Sequence, residues 1–204
     1  MDETKSQIVE EAEGLFMRYG LKSVSMDDVA RKLGMSKKTL YQHVSSKEEL
    51  ITLVMTCNAE KDMQQFEENQ NASADAIDEY LGNSRYFIRE MRQISPTFFY
   101  DMQKYYGGIW QERRQSHMGY FEDEIRKNIE RGQTEGYYRE DVHPEVIMKM
   151  HNQTIMAIVD TSLFPAMENS MEDLIREHAL YHLHGILTKA GRKRLQEHLK
   201  REEL

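Results

Sequence analysis

Cysteine, proline and long apolar runs are nearly missing from this chain of 204 residues. A lone cysteine, Cys57, excludes an internal disulfide and fits a reducing compartment. Three prolines and eleven glycines leave few places to break the chain, which favours long helices over many turns. No apolar run reaches the roughly 18 residues a membrane-spanning helix requires. The opening MDETKSQIVEEAEG carries charge where a secretory leader would carry an apolar stretch, so a cytoplasmic protein with no membrane partner is expected. Also missing are a glycine-rich phosphate loop, a GxSxG elbow, an HExxH pair and a CxxC pair. The expectation is a protein with no catalytic residue, no cofactor and no metal, and therefore not an enzyme. With 39% apolar and 30% charged residues the chain is globular rather than disordered.

The stretch from Ser25 to Leu50, SMDDVARKLGMSKKTLYQHVSSKEEL, is the best-marked part of the chain. Ser25 with Asp28 three residues on is a capping box, which starts a helix. Val29 and Leu33 share one face of it, Ala30 leaves room for a crossing helix, and Gly34 supplies the backbone that ends it. Ser36 caps a second helix with Leu40 and Val44 inward, and Ser46 with Glu49 reads as another capping box opening a third. Two short helices across a tight turn form a helix-turn-helix. With Leu40 and Val44 inward, Lys38, Thr39 and Gln42 point away from the core, flanked by Tyr41 and His43. Lysine, glutamine and threonine can bond base edges in a major groove, while Tyr41, His43 and Lys47 suit phosphate oxygens. Short capped helices with polar faces are common, and charge is what separates this one. Between Arg18 and Lys47 stand Arg18, Lys22, Arg31, Lys32, Lys37, Lys38 and Lys47 against Asp27 and Asp28, a local charge of +5 in a chain of −8. A confined basic patch on an acidic protein is what local phosphate contact needs.

The run from Val24 to Leu50, above all MDDVARKLGMSKKTLYQHVSSKEEL with its TLYxH core and the SKEEL that follows, resembles the N-terminal DNA-binding domain of the TetR family of bacterial transcriptional regulators (TetR/AcrR type). About the first quarter of the chain carries the likeness. The remainder is similar only in length, helical character and layout. The resemblance implies an all-α fold: an N-terminal three-helix helix-turn-helix domain over 1–48 and a C-terminal helical ligand-binding and dimerisation domain over 49–204. It also implies a homodimer that reads a palindromic operator in double-stranded DNA, commonly a repressor released by a small inducer. Residue for residue, Ser25, Lys37, Lys38, Thr39, Tyr41, Gln42, His43 and Lys47 stand where the family contacts DNA. Asp27 departs from members with a basic residue after the first cap, so that base contact is expected to be lost.

Elsewhere the pattern predicts a first helix from Lys5 to Tyr19 with Ile8, Ala12, Leu15, Phe16 and Tyr19 inward, closed by Gly20 and Leu21. The third motif helix should continue to about Glu68, with NQNASADA (69–76) as a loop and a helix through Ile77, Leu81, Tyr86, Phe87 and Met91 after it. Ser95 and Pro96 open the helix of the densest aromatic run, PTFFYDMQKYYGGIW, broken by Gly107 and Gly108. A long helix with Met118, Phe121, Ile125 and Ile129 inward follows. Phe87, Met91, Phe99, Met102, Tyr106, Trp110 and Phe121 are candidate walls of a pocket for a small apolar or aromatic inducer; ordinary core is the competing reading. Two helices close the chain, one from His143 to Phe164 stopped by Pro165, one from Ser170 to Lys189. Their apolar surplus fits a homodimer, as the resemblance implies. GRKRLQEHLKREEL reads as a solvated helical extension. His178 and His182, one turn apart, invite a metal, but a wet or interfacial helix edge explains them with less. Two rivals stay open: a regulator worked by a protein partner without a pocket, and a helical metal-binding protein that carries the motif.

Overall fold

The computed structural model describes residues 2–160, 163–164, 170–201 and 204, and the side chains of these except 113–118. Ten helices and no strand occur among the described residues: α1 Glu3–Tyr19, α2 Met26–Lys32, α3 Lys37–His43, α4 Lys47–Ala72, α5 Ala76–Met91, α6 Pro96–Tyr105, α7 Gly107–Thr134, α8 Pro144–Ile158, α9 Met171–Ile186 and α10 Lys189–Arg201. None of them is long and apolar enough to cross a membrane. The chain divides into two compact units, residues 1–62 with 93–116 and residues 63–92 with 117–204, so α4 and α7 each contribute to both.

In the first unit α1 packs on α2, α3 and α6. It begins earlier than its apolar spacing predicts, because Asp2 accepts the Lys5 N–H at 2.8 Å and caps a turn of polar residues. The inward face is Ile8, Val9, Ala12 and Phe16. Leu15 is half-buried, and Tyr19, expected inside, is 52% exposed with the Arg18 guanidinium 5.3 Å from its ring centre. A tyrosine at the last turn can keep its hydroxyl wet, and Val9 covers the core in its stead. Gly20 ends the helix at φ 82°, as its type suggests. Glu49 departs from the expected box: its amide is capped by Ser46 Oγ at 3.0 Å, but its carboxylate accepts from Ser45 N and Oγ at 2.7 and 2.6 Å. The reciprocal half of the cap is thus displaced by one residue.

The loop predicted over 69–76 shrinks to three residues, since α4 runs through Ala72. Its polar side chains are used between helices: Gln65 donates to Asn69 at 3.2 Å and Asn69 to Asn83 at 2.7 Å. Polar composition alone therefore misreads a helix–helix contact as a turn. The break after the aromatic run falls at Tyr106, with φ −128° and ψ 33°, and the two glycines open α7 instead of separating helices. Met118 lies outside the described side chains, and Pro165 outside the described residues. α8 ends at Ile158, not Phe164, where the Val159 N–H turns back to Ala157 and Ile155 carbonyls.

The second unit is built on α5 against α9, with α8 on α9 and α10 on α5. Ile77, Tyr80, Leu81, Ile129, Tyr138, Ala179, Leu183 and Leu195 belong to one buried cluster. Leu187 is extended and pairs with Tyr138, which divides α9 from α10. The expected solvated tail is a packed helix: Leu195 and His198 are buried, and Arg194 bonds Asp75 at 2.7 Å. Apolar positions i and i+4 at Leu195 and Leu199 carry this packing, hidden in the sequence by the charges between them.

Candidate nucleic-acid interface

The helix-turn-helix is held by short-range bonds at each junction. Ser25 Oγ accepts the Asp28 N–H at 3.2 Å while Asp28 Oδ2 accepts the Ser25 N–H at 2.9 Å, a complete capping box at the start of α2. Those bonds from the Ser25 hydroxyl and amide hold the Asp28 carboxyl below its usual range. Gly34 sits at φ 65° and the Met35 N–H returns to Ala30 O at 3.0 Å, closing α2 and turning the chain. Ser36 Oγ accepts the Thr39 N–H at 3.0 Å and opens α3. Val29, Ala30, Leu40 and Val44 are buried under the two helices. The sequence thus folds locally into a unit whose outer face is fixed by its inner one.

The eight residues singled out for DNA contact fall into two groups. Lys38, Tyr41 and Gln42 are exposed and His43 half-exposed, and none makes a side-chain hydrogen bond or ion pair with a described residue. The other four are engaged. Ser25 is spent in the capping box, with its hydroxyl 2.6 Å from Asp28 Oδ2. Thr39 Oγ1 lies 2.8 Å from Ser36 Oγ. Lys37 Nζ lies 3.0 Å from Asp27 Oδ2, and this hydrogen bond raises the lysine pKa. Both partners are about half exposed, so solvent screens the pair and it contributes little. The Lys47 ammonium donates to the carbonyls of Leu21 and Val24, and burial lowers its pKa.

The same turn is held from the other side by a residue that sequence reasoning missed. Asp101 on α6 accepts the Lys22 backbone N–H through Oδ2 at 2.8 Å, and the Lys22 ammonium reaches Tyr105 Oη at 2.9 Å. Ser95 N–H meets Met17 O at 2.7 Å. The one available signal was an acid set at 101 among apolar positions of an amphipathic helix.

The candidate pocket residues divide between the units. In the first, Phe99 and Met102 are buried, Tyr106 and Trp110 are half-buried, and the Phe99 and Trp110 rings meet edge to face at 6.4 Å. In the second, Phe87 and Phe121 both pack on Phe66, at 5.3 and 5.4 Å, while half-buried Met91 packs against Ile88, Ile158 and Ile175. The histidine pair is not at a wet edge: His182 is buried and His178 half-buried, and His151 of α8 joins them with Nδ1 3.0 Å from His178 Nε2. His151 is 27 residues away in sequence, so spacing on one helix could not find it.

Residues 8–54 match the family model of bacterial regulatory proteins, tetR family. The HTH-type transcriptional activator FasR of Mycolicibacterium smegmatis is 41% identical over 54 residues, which take in 26% of this chain and 25% of that protein. The chain therefore matches about a quarter of the length of that curated relative. Among solved structures, a TetR-family transcriptional regulator from Agrobacterium tumefaciens has a TM-score of 0.72 at 15% identity, covering 90% of this chain and 97% of that one. A putative transcriptional regulator from Saccharomonospora viridis in complex with choline has a TM-score of 0.70 at 18% identity, covering 93% and 100%. Such identities speak for a common fold. Together these matches show that residues 8–54 carry the helix-turn-helix of the tetR family of bacterial regulatory proteins, and that the chain as a whole shares the fold of such regulators.

Proposed function

We propose that the chain is a dimeric, sequence-specific DNA-binding transcriptional repressor, released from a palindromic operator by a small molecule. The observation that carries this is the outer face of α3. Lys38, Tyr41, Gln42 and His43 stand on a doubly capped, buried-based helix, unbonded to any described residue, within a segment of charge +5. Polar side chains held rigidly and left unpaired are suited to base edges and phosphates. In this reading Gln42 reads a base edge, the Lys38 ammonium reaches base edge and phosphate alike, Tyr41 and His43 meet the backbone, and Ser25, Lys37, Thr39 and Lys47 hold the frame. Residues 1–48 form the reading domain and 49–204 the regulatory and dimerisation domain.

The second copy would pair through α8 and α9. Val146 and Met150 on α8 and Tyr181 on α9 are 54%, 61% and 81% exposed, large side chains at helical spacing that a partner helix would cover. Two recognition helices in a symmetric dimer then meet half-sites about 34–36 Å apart. The inducer is a small apolar or aromatic molecule, with Phe87, Met91 and Phe121 as its candidate contacts; a choline complex of a protein of like fold makes a small organic effector a reasonable class. Ligand binding shifts the population toward a dimer whose half-site spacing no longer fits.

Selection of DNA fragments by the purified protein, repeated at two salt concentrations, tests the reading. A palindrome should be recovered, and Gln42→Ala should lose about 1–3 kcal/mol on it while relaxing one base pair. Equal losses on the selected site and on random DNA, or recovery of no preferred sequence, would overturn it. A reporter placed behind the recovered site then decides repression against activation.

A further inference from the structure

Three histidines of the second unit meet in its interior. His151 of α8 lies with its ring centre 4.7 Å from His178 and 4.9 Å from His182 of α9, and the Tyr80 ring of α5 stacks on His182 at 4.8 Å. His151 Nδ1 and His178 Nε2 share one hydrogen bond at 3.0 Å, and His182 Nε2 is buried with no hydrogen-bond partner among the described residues. Among the described residues the rings that meet this cluster are Tyr80 from α5, which also meets His151 edge-on at 5.8 Å, and the imidazoles themselves from α8 and α9. Among the described residues no carboxylate bonds to any of the three rings, and no group of His, Cys, Asp or Glu side chains is set to hold a metal ion. With His151 and His178 bonded to each other and no counter-charge beside them, these imidazoles can take up a proton only at the expense of their present contacts.

We propose that the His151–His178–His182 cluster is a proton-responsive joint that loosens α8 and α9 from each other and from α5 on acidification. The incoming proton lands on the ring nitrogen that accepts in the His151–His178 bond, which turns a donor–acceptor pair into two opposed N–H groups and breaks it. Alternatively it lands on His182 Nε2, where the cation has no anion to face. A second proton meets the repulsion of the first at under 5 Å. Because α8 and α9 are also the helices proposed to pair two chains, acid should weaken the dimer; that link rests on the functional reading above, whereas the joint itself does not.

Burial first, then the neighbouring imidazoles, holds His151 well below the ordinary histidine range; burial alone keeps His178 at about 4, and burial with His178 keeps His182 at about 3. The folded chain thus binds fewer protons than the unfolded one from about 6.5 down to about 3. Stability is full above pH 6.5 and falls as the pH drops through that window.

The test is denaturant unfolding of the full chain at pH values between about 7.5 and 5, for wild type and for a His178→Asn, His182→Gln double variant, alongside an NMR titration of the wild-type histidine rings. Each proton taken up on unfolding should lower the wild-type folding constant by up to about tenfold per pH unit, and the variant, which keeps only His151, should lose two of the three protons from that slope. Three wild-type rings should stay neutral down to about pH 5, and sedimentation should show dimers dissociating only below it, as those rings take up protons. Rings that all titrate near 6.5 in the folded protein, or equal pH slopes in the two proteins, would overturn the joint. So would a zinc-dependent rise in thermal midpoint confined to wild type. An unchanged dimer constant beside the expected slope and ring titration would overturn only the link to pairing. The ring titration needs no variant, so a double variant that fails to fold leaves the joint testable.

Discussion

Asp101 Oδ2 accepts the backbone N–H of Lys22 at 2.8 Å, joining α6 to the turn between α1 and α2 across 79 residues of sequence. The turn is held from a second direction by the Lys47 ammonium, which takes the carbonyls of Leu21 and Val24. An anion on the amide and a cation on the carbonyls together fix a segment that has no helical bonds of its own. Asp101 is buried, so Asp101→Ala would strand the Lys22 N–H and should cost about 1–3 kcal/mol in denaturant unfolding. Asp101→Asn keeps an acceptor and should cost less. If the two variants unfold at the wild-type midpoint, the carboxylate does not hold the turn.

Lys47 and Lys38 should separate cleanly in binding to DNA. Lys38→Ala removes an unbonded ammonium from α3, so the slope of log K against log salt should fall by about 0.9. Lys47→Ala removes an ammonium already bonded within the chain, so the slope should persist while folding stability drops by about 1–3 kcal/mol. The measurement is a salt titration of binding for each variant with a parallel unfolding curve. A slope lowered equally in both would make Lys47 a phosphate contact.

The division between what sequence makes legible and what it hides follows range of interaction. Ser25 with Asp28, Ser36, and Gly34 act within four residues, and each boundary they mark around α2 and α3 appears where it was expected. Lys47 was legible as a cation near the motif but not as one facing inward, because its partners lie more than twenty residues away. Asn69 was read as loop for the same reason: Asn83, its partner, is on another helix. His151 and His178 share this fate. Amphipathic spacing found α5 and α9 but could not say that α10, dense in charge, spends Arg194 and His198 on Asp75.

Gly20 is a position where the backbone and its neighbours both require glycine. Its φ is 82°, and a Cβ there would stand 2.7 Å from Thr97 Oγ1 and 3.0 Å from Asp101 Oδ2. Gly20→Ala should therefore destabilise by more than the roughly 1–3 kcal/mol that an alanine costs by itself in this glycine-only backbone region, at ψ 159°. Pairing it with Thr97→Ala removes the nearest of those atoms, so the double variant should recover part of the loss. Additive losses in a double-mutant cycle would mean that backbone strain alone is at work.

Acid dependence should come in two overlapping windows, of which the lower belongs to carboxylates. Glu49 is held at about 2, first by the Ser45 hydroxyl, then by the Ser45 amide and Lys5, against an ordinary 4.5. Glu172 is likewise held at about 2, chiefly by Arg92. A carboxylate with a lowered folded pKa binds fewer protons folded than unfolded, so its stabilisation is complete above about pH 4.5 and disappears toward pH 2. Glu49→Gln and Glu172→Gln should flatten the stability curve below pH 4.5 and leave the stretch between 6.5 and 4.5 untouched, because no histidine of the buried cluster bonds to either acid. The His178→Asn, His182→Gln protein should do the reverse. Acid unfolding curves of the three proteins check this; a change in the upper window on losing Glu49 or Glu172 would show that the carboxylates and the imidazoles titrate as one system.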